Sequence, residues 1–348
     1  GTYGQWQAGL GKRVQVTAGG RVDYFTATEE LVMSPRVNLE LFLDDETNFH
    51  MGYGKHYQYP GYYLVYRDPD DRNHDLKAKF THQFAVGIEH FLSPDFRGSL
   101  EAFYKRYENL TTHYYWTNPK EKYPSTLEHR THWLNEGEAR SRGFELFLQK
   151  KMTQNWHLLF SYAWSHSQAK DMRLFFTGSG SLNDKEQGGE WYDWDYDIRN
   201  QFTFIGGWKK KFHKEAWYQD LKKKKWFRIA STVLGPLNPL ADEVELNVRF
   251  GYNSGRPYTE RTYFPELRDW VATEDADWNS LRFPEYHRLD FMFLQRWMLP
   301  KMNIVAYVNI MNIYDRNNIW DYAYSSDGTK EEVWQYKTMP VGGVMLEF

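Results

Sequence analysis

The sequence predicts an all-β fold, a transmembrane antiparallel β-barrel, from three observations. Apolar and polar residues alternate along most of the chain, the connections between alternating segments are short and long in turn, and aromatic residues are abundant. The 348 residues include 23 Phe, 15 Trp and 26 Tyr, yet 26% are charged and the mean hydropathy is −0.77. No stretch approaches the ~18 consecutive apolar residues that a spanning helix needs, so a helical membrane protein is excluded.

Each alternating segment is typical of one amphipathic strand. From Val244 to Tyr252 every second residue is apolar, and the residues between them are polar or glycine. A period of two places successive side chains on opposite faces of a sheet, so one face suits lipid and the other water. The pattern predicts about 13 strands, which start near Thr2, Arg13, Arg36, Phe49, Thr81, Gly98, Arg140, Trp156, Asp197, Glu243, Tyr286, Asn303 and Thr338.

The connections between these strands alternate in length. Short links are expected at 11–12, 44–48, 93–97, 153–155 and 300–302, and long polar links at about 26–35, 58–80, 110–134, 166–196, 254–284 and 314–338. Outer-membrane barrels have short periplasmic turns and long extracellular loops. The alternation therefore favours a barrel over a soluble sandwich, which has no reason to place every long loop at one end.

Aromatic residues near strand ends support the same interpretation, because Tyr and Trp form girdles at both membrane interfaces. The predicted girdle residues are Tyr24, Tyr53, Tyr104, Tyr162, Trp164, Trp208, Tyr252 and Trp297. The last strand places Val344, Leu346 and Phe348 on one face and ends on an aromatic residue, so these three residues form the predicted membrane-assembly signal.

Charged residues on the polar faces are predicted to line the lumen, where most would pair with one another. They are Arg21, Asp23, Glu40, Glu101, Glu145, Arg249, Arg288 and Asp290. Formal charge is 43 − 46 = −3, with no basic excess of the kind that nucleic-acid partners require, so none is expected. Absence of Cys excludes disulfides and thiolate chemistry.

Several short motifs occur in a characteristic order along the chain. They are Tyr3-Gly-Gln-Trp, Gly20-Arg-Val-Asp-Tyr, Ser34-Pro-Arg-Val, Gly52-Tyr-Gly-Lys-His-Tyr-Gln, Gly137-Glu-Ala-Arg-Ser-Arg-Gly-Phe-Glu-Leu, Tyr196-Asp-Ile-Arg-Asn, Ser254-Gly-Arg-Pro-Tyr, Tyr286-His-Arg-Leu-Asp and Asn309-Ile-Met-Asn-Ile-Tyr. In this order they resemble the C-terminal barrel half of TonB-dependent outer-membrane receptors, over nearly the whole chain.

The resemblance implies a 22-stranded barrel, closed by an N-terminal plug, that imports a scarce ligand with energy from the TonB complex. An odd count of 13 strands, and the absence of a plug and TonB box, make residues 1–348 the expected C-terminal portion of one such barrel domain. The expected partners are outer-membrane lipid, the missing plug and N-terminal strands, and the TonB complex through that plug. A surface or periplasmic lipoprotein is a further candidate partner, and the expected location is the outer membrane of a Gram-negative bacterium.

Three aromatic loop clusters are candidates for ligand contact, because exposed rings beside polar groups suit sugars, peptides or aromatic chelates. The candidate residues are Tyr59, Tyr62, Tyr63 and Tyr66 in the first, Tyr115, Trp116 and Trp133 in the second, and Trp191 and Trp194 in the third. The alternative is that these rings only pack long loops together.

No catalytic site, cofactor or metal site is predicted. His129 and His132 lack further ligands at a defined spacing, and the acidic segment 67–71 lacks the periodic pattern of a calcium loop. Paired carboxylates such as Asp193, Asp195 and Asp197 have no accompanying nucleophile or phosphate loop.

The 209–243 segment is predicted to be a long periplasmic insertion, because it occupies the position of a short turn. Eight of its residues between 209 and 225 are Lys. Two interpretations remain open: an amphipathic segment on the anionic inner leaflet, or a solvated extended turn.

The sequence thus predicts part of a TonB-dependent receptor that imports a siderophore, haem, cobalamin, glycan or peptide, with ligand-facing extracellular loops. A passive porin-like barrel of about 14 strands is the first alternative. A secreted carbohydrate-binding β-protein, whose aromatic residues would form sugar platforms, is the second.

Overall fold

A single large antiparallel sheet makes up most of the molecule. The computed structural model describes residues 1–66, 72–113, 133–170, 191–234, 240–266, 268–271 and 278–348. With strands numbered in chain order, the thirteen main strands of the sheet are β1 (Thr2–Leu10), β2 (Val14–Phe25), β3 (Glu30–Phe42), β4 (Thr47–Gln58), β5 (Lys79–Ser93), β6 (Phe96–His113), β7 (Trp133–Thr153), β8 (Trp156–Lys170), β10 (Asn200–Lys210), β11 (Glu243–Asn253), β16 (Tyr286–Met298), β17 (Asn303–Met311) and β20 (Met339–Glu347).

Within the described parts of the connections lie seven shorter strands and three helices. The short strands are β9 (Tyr192–Asp193), β12 (Pro257–Tyr258), β13 (Thr262–Phe264), β14 (Asp269–Val271), β15 (Leu281–Arg282), β18 (Ile319–Tyr324) and β19 (Lys330–Trp334). The helices are α1 (Tyr62–Val65), α2 (Ala216–Lys223) and α3 (Lys225–Leu234), with 3-10 turns at Arg72–Asp75 and Phe212–Lys214. Among the described residues, no helix is both long and apolar enough to cross a membrane.

Each main strand pairs with the main strands before and after it in sequence, as in an up-and-down barrel wall. Within the described residues the sheet is open: β1 pairs only with β2, and β20 pairs only with β17. All thirteen predicted strands are present, so the predicted fold class is confirmed.

One predicted loop is wrong. The expected long link at 26–35 is a turn of four residues, 26–29, because β2 and β3 stay in register from Val14 opposite Leu41 to Phe25 opposite Glu30. Pro35 lies within β3 opposite Gly20 and interrupts the pattern that marks a strand. Glu29 has a φ of 51°, a left-handed conformation that tightens the turn.

The two faces of the sheet differ as the alternation predicts. On the outer face, neighbouring strands align Met51, Val86 and Ala102 in one row and Tyr53, Phe84 and Tyr104 in the next. On the other face, Glu40, His50, Glu101 and Glu145 follow one another across the strands, with His50 Nε2 3.1 Å from Glu101 Oε2. The polar row is solvated and partly paired, which suits a lumen, while the outer rows suit lipid.

The 209–243 segment joins β10 to β11 at the edge of the sheet that carries the short turns. Lys209 N donates to Asn155 O of the β7–β8 turn at 2.8 Å, which places the segment at that edge. Its described residues include α2 and α3, and Lys222 Nζ lies 2.7 Å from Asp242 Oδ1. Its periplasmic side stays a prediction.

Candidate ligand-binding loops

The loop between β4 and β5 carries four of the predicted ligand-contact tyrosines. Tyr59 is the anchor of this loop: its hydroxyl donates to Asp23 O at 2.7 Å, and its ring stacks on Phe25 at 4.6 Å. Burial, together with the charges of Asp23 and Glu30, raises the pKa of the Tyr59 hydroxyl. The hydroxyl of Tyr59 therefore holds the loop against the end of β2, beside the β2–β3 turn.

The other three tyrosines face solvent from α1 and the residue after it. Tyr62, Tyr63 and Tyr66 are 58%, 71% and 60% exposed. The rings of Tyr62 and Tyr66 are nearly parallel, with centroids 6.2 Å apart. We call these three residues the tyrosine face. Together they form one exposed aromatic patch, the kind of surface that marks a contact site for another molecule.

A buried scaffold supports the tyrosine face. Asn73 is fully buried; its Nδ2 donates to Leu64 O at 2.7 Å, and its Oδ1 accepts from Trp133 N at 2.9 Å. Leu64 and Val65 point inward from α1 and are 9% and 0% exposed. Hydrogen bonds made by a buried side-chain amide hold a loop in one conformation.

Trp133 belongs to this scaffold. It is half-buried at the start of β7, beneath the β4–β5 loop rather than on its exposed side. Its partners in the predicted second cluster, Tyr115 and Trp116, lie outside the described residues, as do His129, His132 and the acidic segment 67–71.

The third predicted cluster packs against β7 and β8. Trp194 meets Tyr107 edge-on at 5.6 Å, beside a small core of Leu110, Ala139 and Ala169. The Trp191 ring lies under the Arg140 guanidinium at 4.1 Å. Both tryptophans are half-buried, so packing accounts for much of their surface, and ligand contact by them stays a prediction.

Two loops that are distant in sequence meet at a cluster of ionised groups, which we call the Asp–Arg cluster: Asp193, Asp197, Arg199 and Arg282. Asp197 is fully buried and accepts from Ser167 N at 2.6 Å. Arg199 Nε donates to Asp197 Oδ2 at 2.6 Å, and Arg282 Nη2 donates to the same oxygen.

Asp193 completes the cluster. Its Oδ1 accepts from Arg199 Nη2 at 2.8 Å, and its Oδ2 accepts from Arg282 Nη2 at 2.7 Å. His166 Nε2 lies 3.1 Å from Oδ1. Burial acts to raise the pKa of Asp193, but the hydrogen bonds from Arg282 and His166 and the two guanidinium charges outweigh it and lower the pKa. Two arginines thus face two carboxylates, so their formal charges cancel and each carboxylate accepts charge-assisted hydrogen bonds.

Asn279 extends the connection to the β11–β16 loop. Its Nδ2 donates to Asp193 O at 2.8 Å and to Asp195 Oδ1 at 2.6 Å. Arg282 Nη1 also donates to Asp197 O and to Gly255 O, each at 3.0 Å. Gly255 packs so close to Phe283 that a Cβ would lie 1.5 Å from Phe283 O, so only glycine fits there. The carboxylates at 193–197 therefore clamp two loops.

Aromatic side chains join the β11–β16 and β17–β20 loops beyond that clamp. Phe283 stacks on Tyr322 at 5.0 Å, and Lys330 Nζ lies 3.9 Å above the Tyr322 ring. Trp270 packs on Tyr324 at 5.0 Å, and its Nε1 donates to Ser325 O at 3.0 Å. The described residues of these two loops thus pack together at the edge of the sheet that carries the long loops.

The sequence motifs include segments of the Asp–Arg cluster, but they do not predict that the cluster holds two loops together. Asp197 and Arg199 lie in the Tyr196–Asn200 motif, and Gly255 lies in the Ser254–Tyr258 motif. Their common partner Arg282 stands in no motif, so only its position in space reveals the connection.

The predicted assembly signal lies on the outer face of the edge strand β20. Val344, Leu346 and Phe348 are 60%, 50% and 94% exposed, and Leu346 lies opposite Ile304 of β17. Their part in assembly stays a prediction. Among the residues that the structure describes, no three His, Asp or Glu side chains are arranged to hold a metal ion.

Comparison with known proteins agrees with the geometry. The family model described as TonB dependent receptor-like, beta-barrel, matches residues 1–313. A search of curated protein sequences finds no match. Among solved structures, the ferripyoverdine receptor of the outer membrane of Pseudomonas aeruginosa shares 14% identity at a TM-score of 0.58, over 99% of this chain and 37% of that one.

Two further solved structures show the same fold. The ferric preacinetobactin receptor BauA from Acinetobacter baumannii shares 14% identity at a TM-score of 0.59, over 97% of this chain and 40% of its own. The ferric-catecholate import receptor Fiu from E. coli K12 shares 12% identity at a TM-score of 0.59, over 99% of this chain and 44% of its own. This chain therefore spans well under half the length of these receptors. The chain belongs to the TonB-dependent receptor-like β-barrel family, a family of proteins of the Gram-negative outer membrane.

Proposed function

We propose that this chain supplies the C-terminal barrel part of a receptor that imports a scarce ligand across the outer membrane, with energy from the TonB complex acting through an N-terminal plug. The ligand classes expected from the sequence are siderophores, haem, cobalamin, glycans and peptides. Ferric siderophores come first for testing, because solved structures of this fold include receptors for ferripyoverdine, ferric preacinetobactin and ferric catecholates.

The tyrosine face is the observation that carries this proposal. Tyr62, Tyr63 and Tyr66 are exposed at the edge that carries the long loops, and the buried Asn73 holds their loop in place. Aromatic rings fixed on a rigid support bind planar or apolar parts of a ligand at little cost in conformational entropy.

An uptake assay on cells expressing the protein tests the proposal. Cells receive radiolabelled ligands from each class, with and without a protonophore that collapses the proton-motive force. We expect uptake of one class, and we expect the protonophore to abolish it. Uptake that persists with the protonophore would favour a passive pore, and recovery of the protein without detergent would favour a secreted binding protein.

Substitution of tyrosines tests whether the tyrosine face contacts the ligand. Replacing Tyr62 and Tyr66 with Ala is expected to weaken ligand binding about tenfold or more, since stacking on an exposed ring contributes on the order of 1 kcal/mol. Tyr336→Ala is the matched control, because Tyr336 is 80% exposed in the β19–β20 connection. Equal binding by both variants would remove the tyrosine face from the ligand site.

A further inference from the structure

The 209–243 segment, which we call the basic insertion, is held firmly against the ends of two strands. Asp242 is 3% exposed; its Oδ1 accepts from Lys222 Nζ and its Oδ2 accepts from Met298 N, each at 2.7 Å. Tyr218 of α2 is 2% exposed, and its hydroxyl donates to Leu240 O at 3.4 Å. The helix α2 is therefore fixed beside the start of β11 and the end of β16.

The outer face of the sheet is covered by protein where the basic insertion begins. The register aligns Lys210, Val244, Gln295 and Ala306 in one row of that face. Val244 and Gln295 are 4% and 1% exposed, whereas Val308, two residues further along β17 on the same face, is 48% exposed. On a face that suits lipid elsewhere, protein therefore takes the place of lipid beside the insertion.

The basic insertion leaves the sheet at the level of a membrane interface. Trp208 of β10 lies opposite Trp156 of β8, and both are exposed on the outer face, at 39% and 40%. Lys210 follows two residues later, about 7 Å further toward the short turns. Tryptophans at the end of a lipid-facing strand form an interfacial girdle, so the insertion starts at the level of the lipid headgroups.

The two helices of the basic insertion expose apolar residues among their cations. Trp217 of α2 is 50% exposed, and Trp226 and Ile229 of α3 are 60% and 61% exposed. Trp226 and Ile229 are three residues apart, so they share one face of α3. Phe227, by contrast, is 6% exposed and meets the Tyr218 ring edge-on at 6.1 Å. The helix α3 thus packs on the protein through one face and presents an apolar pair on another.

The charge of the basic insertion is strongly positive. Residues 209–234 contain eight Lys and one Arg, but only two acidic residues, and residues 235–239 contain no ionisable side chain. Ion pairs with carboxylates are made by Lys209, Lys210, Lys222 and Lys223. In the part of the chain that the structure describes, the other four lysines form none. The insertion therefore keeps a surplus of cations after its internal pairs are counted.

Two of these unpaired lysines, Lys211 and Lys214, line a cavity between the basic insertion and the β7–β8 turn. The cavity has a volume of about 370 Å³, within the range of small-ligand sites. Its lining includes residues 152–155 of the turn and, from the insertion, Lys209, Lys210, Lys211, Lys214 and Glu215. We call this cavity the lysine pocket. Four ammonium groups and one carboxylate around it favour an anion inside.

We propose that the basic insertion binds anionic phospholipid of the inner leaflet of the outer membrane. The headgroup phosphate lies in the lysine pocket beside Lys211 and Lys214, and Trp226 and Ile229 of α3 lie in the interfacial layer. Phospholipid is the occupant that matches both features, because it joins an anionic headgroup to apolar chains at the level where the lipid-facing wall ends.

This inference rests on the orientation in the proposed function, with the long loops outside the cell. Its measurements need no transported ligand, so a failure of uptake and a failure of lipid binding are separate results.

A spin label measures the depth of α3 in a membrane. Because the chain has no Cys, Ile229→Cys creates a single labelling site. The labelled protein is reconstituted in phosphatidylcholine vesicles that contain phosphatidylglycerol, and electron paramagnetic resonance compares its collisions with oxygen and with a water-soluble nickel chelate. We expect oxygen to dominate at 229. Lys301→Cys, in the exposed β16–β17 turn at the same edge, is the control, and nickel should dominate there.

Native mass spectrometry of the purified protein in neutral detergent measures headgroup binding. Lys211→Gln with Lys214→Gln is expected to weaken phosphatidylglycerol binding about thirtyfold, the loss that two cations beside an anionic headgroup account for. Lys12→Gln with Lys301→Gln removes the same charge from exposed turns at the same edge and should leave binding unchanged. Heat-modifiable gel mobility verifies that each variant is folded.

Four results would each overturn the proposal. The first is a label at 229 that meets the nickel chelate as often as the label at 301. The second is equal phosphatidylglycerol binding by the two double variants, and the third is equal binding of phosphatidylcholine and phosphatidylglycerol. The fourth is displacement of the lipid by inorganic phosphate, which would make the lysine pocket a site for the free anion.

Discussion

Arg282 Nη2 and Asp193 Oδ2 lie 2.7 Å apart and join two loops separated by 89 residues of sequence. The same guanidinium nitrogen also donates to the fully buried Asp197. One side chain thus holds the β8–β10 connection against the β11–β16 connection.

Arg282→Gln is expected to open the clamp. The change removes one of the two guanidinium groups that pair with buried Asp197. Breaking a buried ion pair costs about 3 kcal/mol of stability. Cleavage within residues 191–199 by an added protease should become about a hundredfold faster, since cleavage follows the population of the open loop. Arg256→Gln is the control: Arg256 and its ion-pair partner Asp321 are 41% and 51% exposed, so loss of the pair should cost less than about 1 kcal/mol. Equal cleavage of both variants would contradict the clamp.

The clamp is also expected to weaken in acid. The pKa of Asp193 is lower in the folded protein, so its contribution to stability is present above the ordinary Asp pKa of about 4 and is lost as the pH falls through the folded value. Hydrogen exchange in residues 191–199 should therefore rise as the pH falls below about 4, after correction for the intrinsic rate. The same profile in Asp193→Asn should be flat; a flat profile in the unaltered protein would contradict the assignment.

Asn73→Ala is expected to release the tyrosine face. The change leaves Leu64 O and Trp133 N without their buried partner, at a cost of about 2 kcal/mol to the loop. Hydrogen exchange at residues 62–66 should increase by about tenfold or more, with exchange in β5 unchanged. Gln58→Ala alters an exposed side chain at the end of β4 and should have no such effect. If the loop exchanges equally in both variants, Asn73 does not hold it.

Adjacent residues of β6 test which face meets lipid. Leu100 is 48% exposed on the apolar face, and Leu100→Arg should destabilise the folded barrel by about 2–4 kcal/mol if it lies near the bilayer midplane. Ser99 points to the polar face opposite Glu89, so Ser99→Arg should cost less than about 1 kcal/mol. Urea unfolding in lipid vesicles measures both. A larger effect at Ser99 would reverse the assignment of the faces.

Phe348→Ser is expected to reduce the amount of folded protein in the outer membrane several-fold without altering the stability of the folded fraction. Phe348 is 94% exposed, so little of its surface stabilises the sheet, and its expected role is recognition during assembly. Val341→Ser is the control, because Val341 is 39% exposed and lies opposite Asn309, on the other face of β20 from Leu346. Gel mobility before and after heating quantifies the folded fraction, and equal yields for the two variants would argue against a terminal signal.

The sequence by itself determined the strands, because burial of one face in lipid imposes a strict period of two on every strand. All thirteen main strands follow that pattern, and the contrast between Leu100 and Glu101 can be read directly from it. Where the pattern is interrupted, sequence reasoning failed: Pro35 concealed the start of β3. The sequence leaves the 209–243 segment open between two interpretations, since a run of lysines is compatible with both.

Only the tertiary structure decided which loop residues act together. Tyr59 and Tyr62 belong to one aromatic cluster in sequence, and both rings pack against Phe25. The Tyr59 hydroxyl anchors the loop on Asp23 O, whereas Tyr62 is 58% exposed. Arg282 has no sequence motif, and it meets Asp193 only when the sheet brings two long loops to the same edge. The period and composition of the sequence indicate whether each residue faces lipid or water. Contacts between distant loops depend instead on strand register, which no local pattern contains.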